Sequence, residues 1–120
     1  MEDFLIIVAG GRDYSDYNTL KKHLDHLLSE KSKTHNIVIV SGTCRGADKL
    51  GERYAMEHGY KILRFFPDWS QGKKAGPDRN REMAKVANAC VVCWDGVSRG
   101  SKSMIDIAKK NGIPLRIINY

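Results

Sequence analysis

The stretch Phe4-Leu5-Ile6-Ile7-Val8-Ala9-Gly10-Gly11-Arg12-Asp13 decides how the rest of the chain is read. Six apolar residues run without alternation and end on two glycines and an arginine. A strand with one wet face alternates apolar and polar residues. A continuous run rich in Val and Ile reads as a strand covered on both faces, and such strands belong to parallel sheets. Similar runs follow at Ile37–Ser41, Ile62–Phe66, Ala89–Trp94 and Leu115–Ile118. Between them lie four stretches with helical spacing: Leu20, Leu24, Leu27 and Leu28; Ala47, Leu50, Tyr54 and Ala55; Met83, Val86 and Ala87; and Met104, Ile105 and Ala108. Pro77 suits the opening turn of the third helix. His58-Gly59 and Asn111-Gly112 mark helix ends, and Pro114 forbids helix beyond the latter. The order βαβαβαβαβ predicts a three-layer, Rossmann-like α/β domain built on a five-stranded parallel sheet with right-handed crossovers. Pro67–Gly76 reads as a loop.

Composition agrees with this and narrows the function classes. The 120 residues read as one domain over 1–120, large enough to bury roughly 65% of the unfolded surface without metal or disulfide staples. Apolar residues at 42% and charged residues at 28% exclude a disordered or fibrous chain. Twenty Lys and Arg against fourteen Asp and Glu give a net charge of +6, which favours anionic partners. The N-terminal apolar run is short and follows Glu2 and Asp3, so neither a signal peptide nor a membrane span is expected. Three cysteines make a poor disulfide framework, and the expected setting is a reducing cytoplasm. Cys90 and Cys93 lie three apart in one strand and so face opposite sides of the sheet. They cannot share a metal or a disulfide, and they read as small buried hydrophobes. His23, His26, His35 and His58 read as surface residues. No metal and no bound cofactor is expected.

The glycines locate a candidate site. Gly10, Gly11, Gly42, Gly46, Gly96 and Gly100 all follow strands, on the sheet edge where open α/β folds bind ligands. Each of these turns also carries an arginine: Arg12, Arg45 and Arg99. In the segment 41–48, Ser41-Gly42-Thr43-Cys44-Arg45-Gly46-Ala47-Asp48, free N–H groups at a helix start suit a phosphate. Thr43 offers a hydroxyl and Arg45 a charge, while Asp48 is read either as a helix cap or as a ribose ligand. The segment 95–103, Asp95-Gly96-Val97-Ser98-Arg99-Gly100-Ser101-Lys102-Ser103, forms a second candidate cradle. Its Lys-Ser lies six residues after Gly96, but the P-loop glycine before the lysine is displaced, and no GxGxxG fingerprint exists. Tyr14 is read either as a stacking ring for a base or, with Tyr17, as a hydrophobic lid. Arg79 and Asn80 open the third helix and suit a phosphate or ribose. Arg79 is expected inward, and Arg81 in solvent or paired to Glu82 or Asp78.

Together, Val8–Asp13, Val40–Asp48, Phe66–Trp69, Gly76–Met83 and Trp94–Ser101 resemble the YspA-type branch of the SLOG superfamily, which also includes the Smf/DprA proteins and the Lonely Guy enzymes. The resemblance implies a strand order of 3-2-1-4-5 and a nucleotide-binding crevice between the first and fourth strands. It also suggests a homodimer through the third and fourth helices, with Met83, Val86 and Met104 at the contact. Lonely Guy enzymes carry a catalytic Glu where this chain has Met104. The leading expectation is therefore binding of a nucleotide or a nucleotide-derived ligand, such as an NAD- or ADP-ribose-related molecule, by a sensor or sequestering module. One alternative is a nucleotide N-glycosidic-bond hydrolase using Asp13, Asp48 or Asp95 as acid/base. Another is single-stranded nucleic-acid binding, with Trp69 and Trp94 among its supports.

Overall fold

In the computed structural model, which describes residues 1–120, the five apolar runs are five strands. They are β1 (Asp3–Gly10), β2 (Asn36–Ser41), β3 (Lys61–Arg64), β4 (Ala89–Trp94) and β5 (Leu115–Asn119). All pairs are parallel and the order is 3-2-1-4-5, so the fold is Rossmann-like. Register runs Ile6 against Ile39 on one side of β1 and Val8 against Val91 on the other. β3 ends at Arg64, two residues earlier than the apolar run, because Pro67 has no N–H to offer and Phe66 projects into solvent.

The helices are α1 (Tyr17–Leu28), α2 (Lys31–Thr34), α3 (Ala47–His58), α4 (Ala75–Val86) and α5 (Arg99–Lys110). The one-turn α2 has no buried residue, which is why no apolar stripe announced it. The segment expected as a loop holds a 3₁₀ stretch, Trp69–Lys74, kinked at Gly72, and the first residues of α4. α4 starts at Ala75, with Pro77 in its first turn. Gly59, in the left-handed region, closes α3 as expected.

Neighbouring residues of each strand serve opposite layers. Ile6, Val8, Ile39, Val91 and Cys93 pack with Leu20, Leu24 and Tyr54 under α1 and α3. Ile7, Ala9, Val40, Cys90 and Val92 pack with Met83, Ala84, Met104 and Ile105 under α4 and α5. This explains the lack of alternation, and it places the Cys90 and Cys93 thiols on opposite faces. Burial pushes both thiols up to about 12. One stripe is corrected: Val86 is exposed, and α4 buries Ala75, Asn80, Met83 and Ala84 instead. Met83 and Met104 are interior, so neither is available to a contact between copies through this face. The histidines are corrected too: only His26 is exposed, and His58 stacks on Tyr54 with ring centroids 4.0 Å apart. No helix is long and apolar enough to cross a membrane.

Candidate functional site

The C-terminal ends of β1 and β4 diverge at the point where the strand order reverses, and a cleft of about 400 Å³ opens there. Three strand-to-helix turns and the first turns of α4 wall it. Of the residues singled out in the sequence, Gly10, Gly11, Arg12, Arg45 and Asp48 line it from the first two turns. Arg79 and Asn80 line it from α4, and Ser98, Gly100 and Ser101 from the start of α5. Ser41, Gly42, Thr43, Gly46, Asp95, Gly96 and Arg99 lie outside its wall. Ala9, Asp13, Cys44, Trp69, Gly76, Pro77, Met83 and Met104 complete the lining.

Four of the six site glycines, Gly10, Gly11, Gly42 and Gly46, make room for the protein's own atoms rather than for a ligand. A Cβ on Gly10, whose φ is +149°, would lie 2.3 Å from the Cys93 carbonyl oxygen. One on Gly46 (φ +81°) would lie 2.2 Å from the Gly11 carbonyl oxygen, which already accepts the N–H of Ala47 at 3.1 Å. The space beside Gly42 is filled by the Arg79 guanidinium and the Asp48 carboxylate, 2.8 and 2.9 Å from an added Cβ. A side chain at 42 would therefore displace that pair before it met any ligand. Among the six glycines that follow strands, space is open beside Gly96 and Gly100.

Arg79 points inward as expected. Its guanidinium donates to the Gly42 carbonyl and, through Nε, to Asn80 Oδ1 at 3.0 Å, and Nη1 lies 3.8 Å from Cys44 Sγ. Arg81 points outward and pairs with Asp78. Arg12 reaches Cys44 Sγ from the other side, with Nη2 at 4.0 Å. None of Arg12, Arg45 and Arg79 forms an ion pair with a carboxylate, although nine ion pairs form elsewhere. Asp48 is 4% exposed and accepts the Cys44 N–H at 3.0 Å. Burial pushes its carboxyl up to about 6, against the pull of that hydrogen bond and of Arg79. The helix-cap reading of Asp48 is corrected: Gly46 is the N-cap of α3 and no side chain caps it, while Asp48 braces the preceding turn through Cys44 and lines the cleft.

One turn further along α3, burial also acts on Glu52, but hydrogen bonds from Ser41 and Arg64 outweigh it and hold its carboxyl below the usual range. Ser41 Oγ donates to Glu52 Oε2 at 2.6 Å and accepts the Thr43 N–H at 3.0 Å, while Arg64 donates twice to Oε1. This chain holds Thr43 at φ +69°, the one non-glycine in the left-handed region. A β-branched residue there is strained. The sequence carried no sign of the network, because Ser41, Glu52 and Arg64 come from three elements with no motif spacing.

On α5, Ser101 is 4% exposed, lines the cleft in the first helical turn, and its Oγ has no hydrogen-bond partner. Asp95 instead faces away, accepting the N–H groups of Val97 and Ser98 at 2.9 and 2.8 Å. Those backbone bonds hold its carboxyl below the usual range. Trp94 Nε1 donates to the Ser98 carbonyl at 3.1 Å and clamps the same turn. Asp13 accepts a hydrogen bond from the Tyr120 hydroxyl at 2.5 Å. Tyr14 is buried edge-on against Tyr120, which leaves the lid reading and removes it as a stacking ring for a base. Met104, at the position of the Lonely Guy Glu, is buried with Met83, so a carboxylate placed there would be taken out of water. No group of three or more His, Cys, Asp or Glu side chains is placed to hold a metal ion.

This strand order, with a basic cleft at its switch point, defines a Rossmann-like α/β protein. Residues 4–72 match the profile of YAcAr, described as the YspA, cpYpsA-related SLOG family, and the chain belongs to that family. The Gene 61 protein of Mycobacterium phage D29 is 32% identical over 123 residues, covering 96% of this chain and 94% of that one. DNA processing protein A (DprA) of Streptococcus pneumoniae superposes with a TM-score of 0.73 at 21% identity. That match covers 97% of this chain but 50% of DprA, so the chain spans half of DprA's length. TM1055 superposes with a TM-score of 0.65 at 19% identity, over 96% of this chain and 72% of that one. At these identities the two structures are similar in fold.

Proposed function

We propose that the cleft binds the phosphate of a nucleotide or nucleotide-derived ligand, and that the protein acts as a sensor or sequestering module. The observation that carries this is the set of three cleft guanidiniums, Arg12, Arg45 and Arg79, with no carboxylate partner. Unpaired arginines converging on a concave site suit an anion, and the planar fork of Arg matches phosphate oxygens in pairs. The orphaned Ser101 hydroxyl at the start of α5 supports the same reading, since it offers a donor where the helix dipole favours negative charge. Membership of the SLOG family supports a nucleotide as the carrier of that phosphate.

The test is calorimetric titration with ADP. Arg79→Ala should weaken binding ten- to hundredfold, the equivalent of roughly 1.5–3 kcal/mol for a hydrogen bond to a charged group. Arg81→Ala should change it less than twofold. Equal loss in both variants would sink the placement of the phosphate. Mass spectrometry of any ligand that co-purifies would name the base.

A second reading, hydrolysis of a nucleotide N-glycosidic bond, is favoured by Asp48 alone. A buried cleft carboxyl titrating near 6 is suited to proton transfer at neutral pH. Release of free base from nucleoside monophosphates, abolished in Asp48→Asn, would establish it. No release above the buffer background would leave the binding module.

A further inference from the structure

Four crossovers join the five strands, and the strand order decides which faces their helices cover. The crossovers from β1 to β2 and from β2 to β3 run towards one edge of the sheet. Those from β3 to β4 and from β4 to β5 run towards the other. Right-handed crossovers in opposite directions place their helices on opposite faces. α1 and α3 therefore cover β1, β2 and β3, and β4 and β5 have no helix of their own on that face. There, at the N-terminal ends of the strands, a groove of about 530 Å³ opens beside the end of α1. It shares no residue with the cleft, which lies at the opposite edge. Seven of its eleven lining residues are apolar, against five of eighteen in the cleft, so the two sites suit different ligands. Phe4, Ile6, Leu27, Val91 and Leu115 supply most of the apolar surface.

The groove's two charged residues, Lys31 and Arg116, are both cations, and no acid lines it. Neither joins any of the nine ion pairs. Arg116 is half-buried on β5, and the one side chain it meets is His23, with Nη1 3.4 Å from the ring Nδ1. That is long for a hydrogen bond. A planar fork of N–H donors thus stands at an apolar surface with no anion to receive it. Lys31 Nζ lies over the Phe4 ring, 5.3 Å from its centroid, beside the same surface.

We propose that this groove binds a medium-chain monocarboxylate, with its hydrocarbon chain on Phe4, Ile6, Leu27 and Val91 and its carboxylate on Arg116. An apolar surface and an unpaired guanidinium complement the two halves of an amphipathic anion, and a carboxylate matches the Arg fork with two parallel hydrogen bonds. The volume is that of a small-molecule site. Lys31 adds positive field at the same groove. A second copy of the chain suits the surface less well. Each copy carries +6, and a symmetric contact would bring the same unpaired cations into one interface.

The experiment titrates the full chain with hexanoate, octanoate and octylamine, read by calorimetry and amide chemical shifts. Octanoate should move the amides of Ala89, Val91 and Arg116 and leave those of Gly10, Gly11 and Arg12 in place. Each methylene between hexanoate and octanoate should tighten binding about fourfold, as burial of one CH₂ does. Octylamine, with the same chain and the opposite charge, should bind about tenfold more weakly than octanoate. Arg116→Gln should weaken octanoate about tenfold. Lys31→Glu, at an exposed position that the fold does not need, should weaken it about threefold and decides the matter if Arg116→Gln does not fold. Octanoate affinity should be the same with and without saturating ADP. Equal binding of octanoate and octylamine, competition with ADP, shifts confined to the cleft, or no binding at millimolar concentration overturns the assignment. A mass that doubles with protein concentration and falls back as octanoate is added assigns the groove to a second copy and overturns it as well.

Discussion

Asp48 and Glu52 sit one turn apart on α3, both almost fully buried, and are driven in opposite directions. Glu52 receives Ser41 and Arg64 directly, so its charge is met by donors. Asp48 receives one backbone N–H, and Arg79 is near but not paired. For Asp48 the folded-state value of about 6 lies above its ordinary 3.8, so protonation favours the fold. That stability is fully present below pH 4 and is lost as pH rises through 6. The ionised form then burdens the fold by roughly 3 kcal/mol. Asp48→Asn, which keeps an acceptor for Cys44, should therefore be more stable than the parent at pH 8, with the gap closing towards pH 4. Urea midpoints at the two pH values measure this, and a gap independent of pH would refute the assignment. None of this was legible from residue type alone. The sequence placed Asp48 at a helix start, while its burial depends on Arg79, 31 positions away, folding across it.

At the scale of elements, the turn between β2 and α3 depends on β3 for its shape. Arg64 at the end of β3 holds Glu52, Glu52 holds Ser41, and Ser41 holds the strained Thr43. Glu52→Ala should cost roughly 2–3 kcal/mol, because it strips partners from the buried Ser41 and from Arg64. Amide exchange at Thr43 and Cys44 should accelerate more than at α5. Arg64→Ala should cost less, since Lys49 and Ser41 still face the carboxylate. Uniform acceleration across the molecule would mean that the network stabilises the whole fold rather than this turn. The elements themselves were legible: five continuous runs became five strands, and the Leu20, Leu24 and Leu28 stripe became the buried face of α1. α2 and the 3₁₀ stretch were not, because neither buries a residue and so neither leaves a periodic trace. Val86 misled because it ends its helix, where the apolar face runs out into solvent.

At the scale of the molecule, the same division holds. Strand order and cleft position followed from the chain's likeness to its family and from the glycines after strands, and both are found. The reason those glycines are required was not legible. Gly10 and Gly46 let β1, β4 and α3 approach one another closely enough for a shared wall to exist, a fact about three segments far apart in the chain. Burial of alternate residues under opposite layers has a practical outcome for chemical labelling. Cys90 and Cys93 are sealed in different interiors, whereas Cys44 stands in the wall of the cleft. Native protein treated with a maleimide should gain one adduct by mass, and unfolded protein three. Bound nucleotide should slow the single native reaction. The molecule thus carries a built-in attachment point for a reporter dye in the wall of its cleft, obtained without adding or removing a single cysteine.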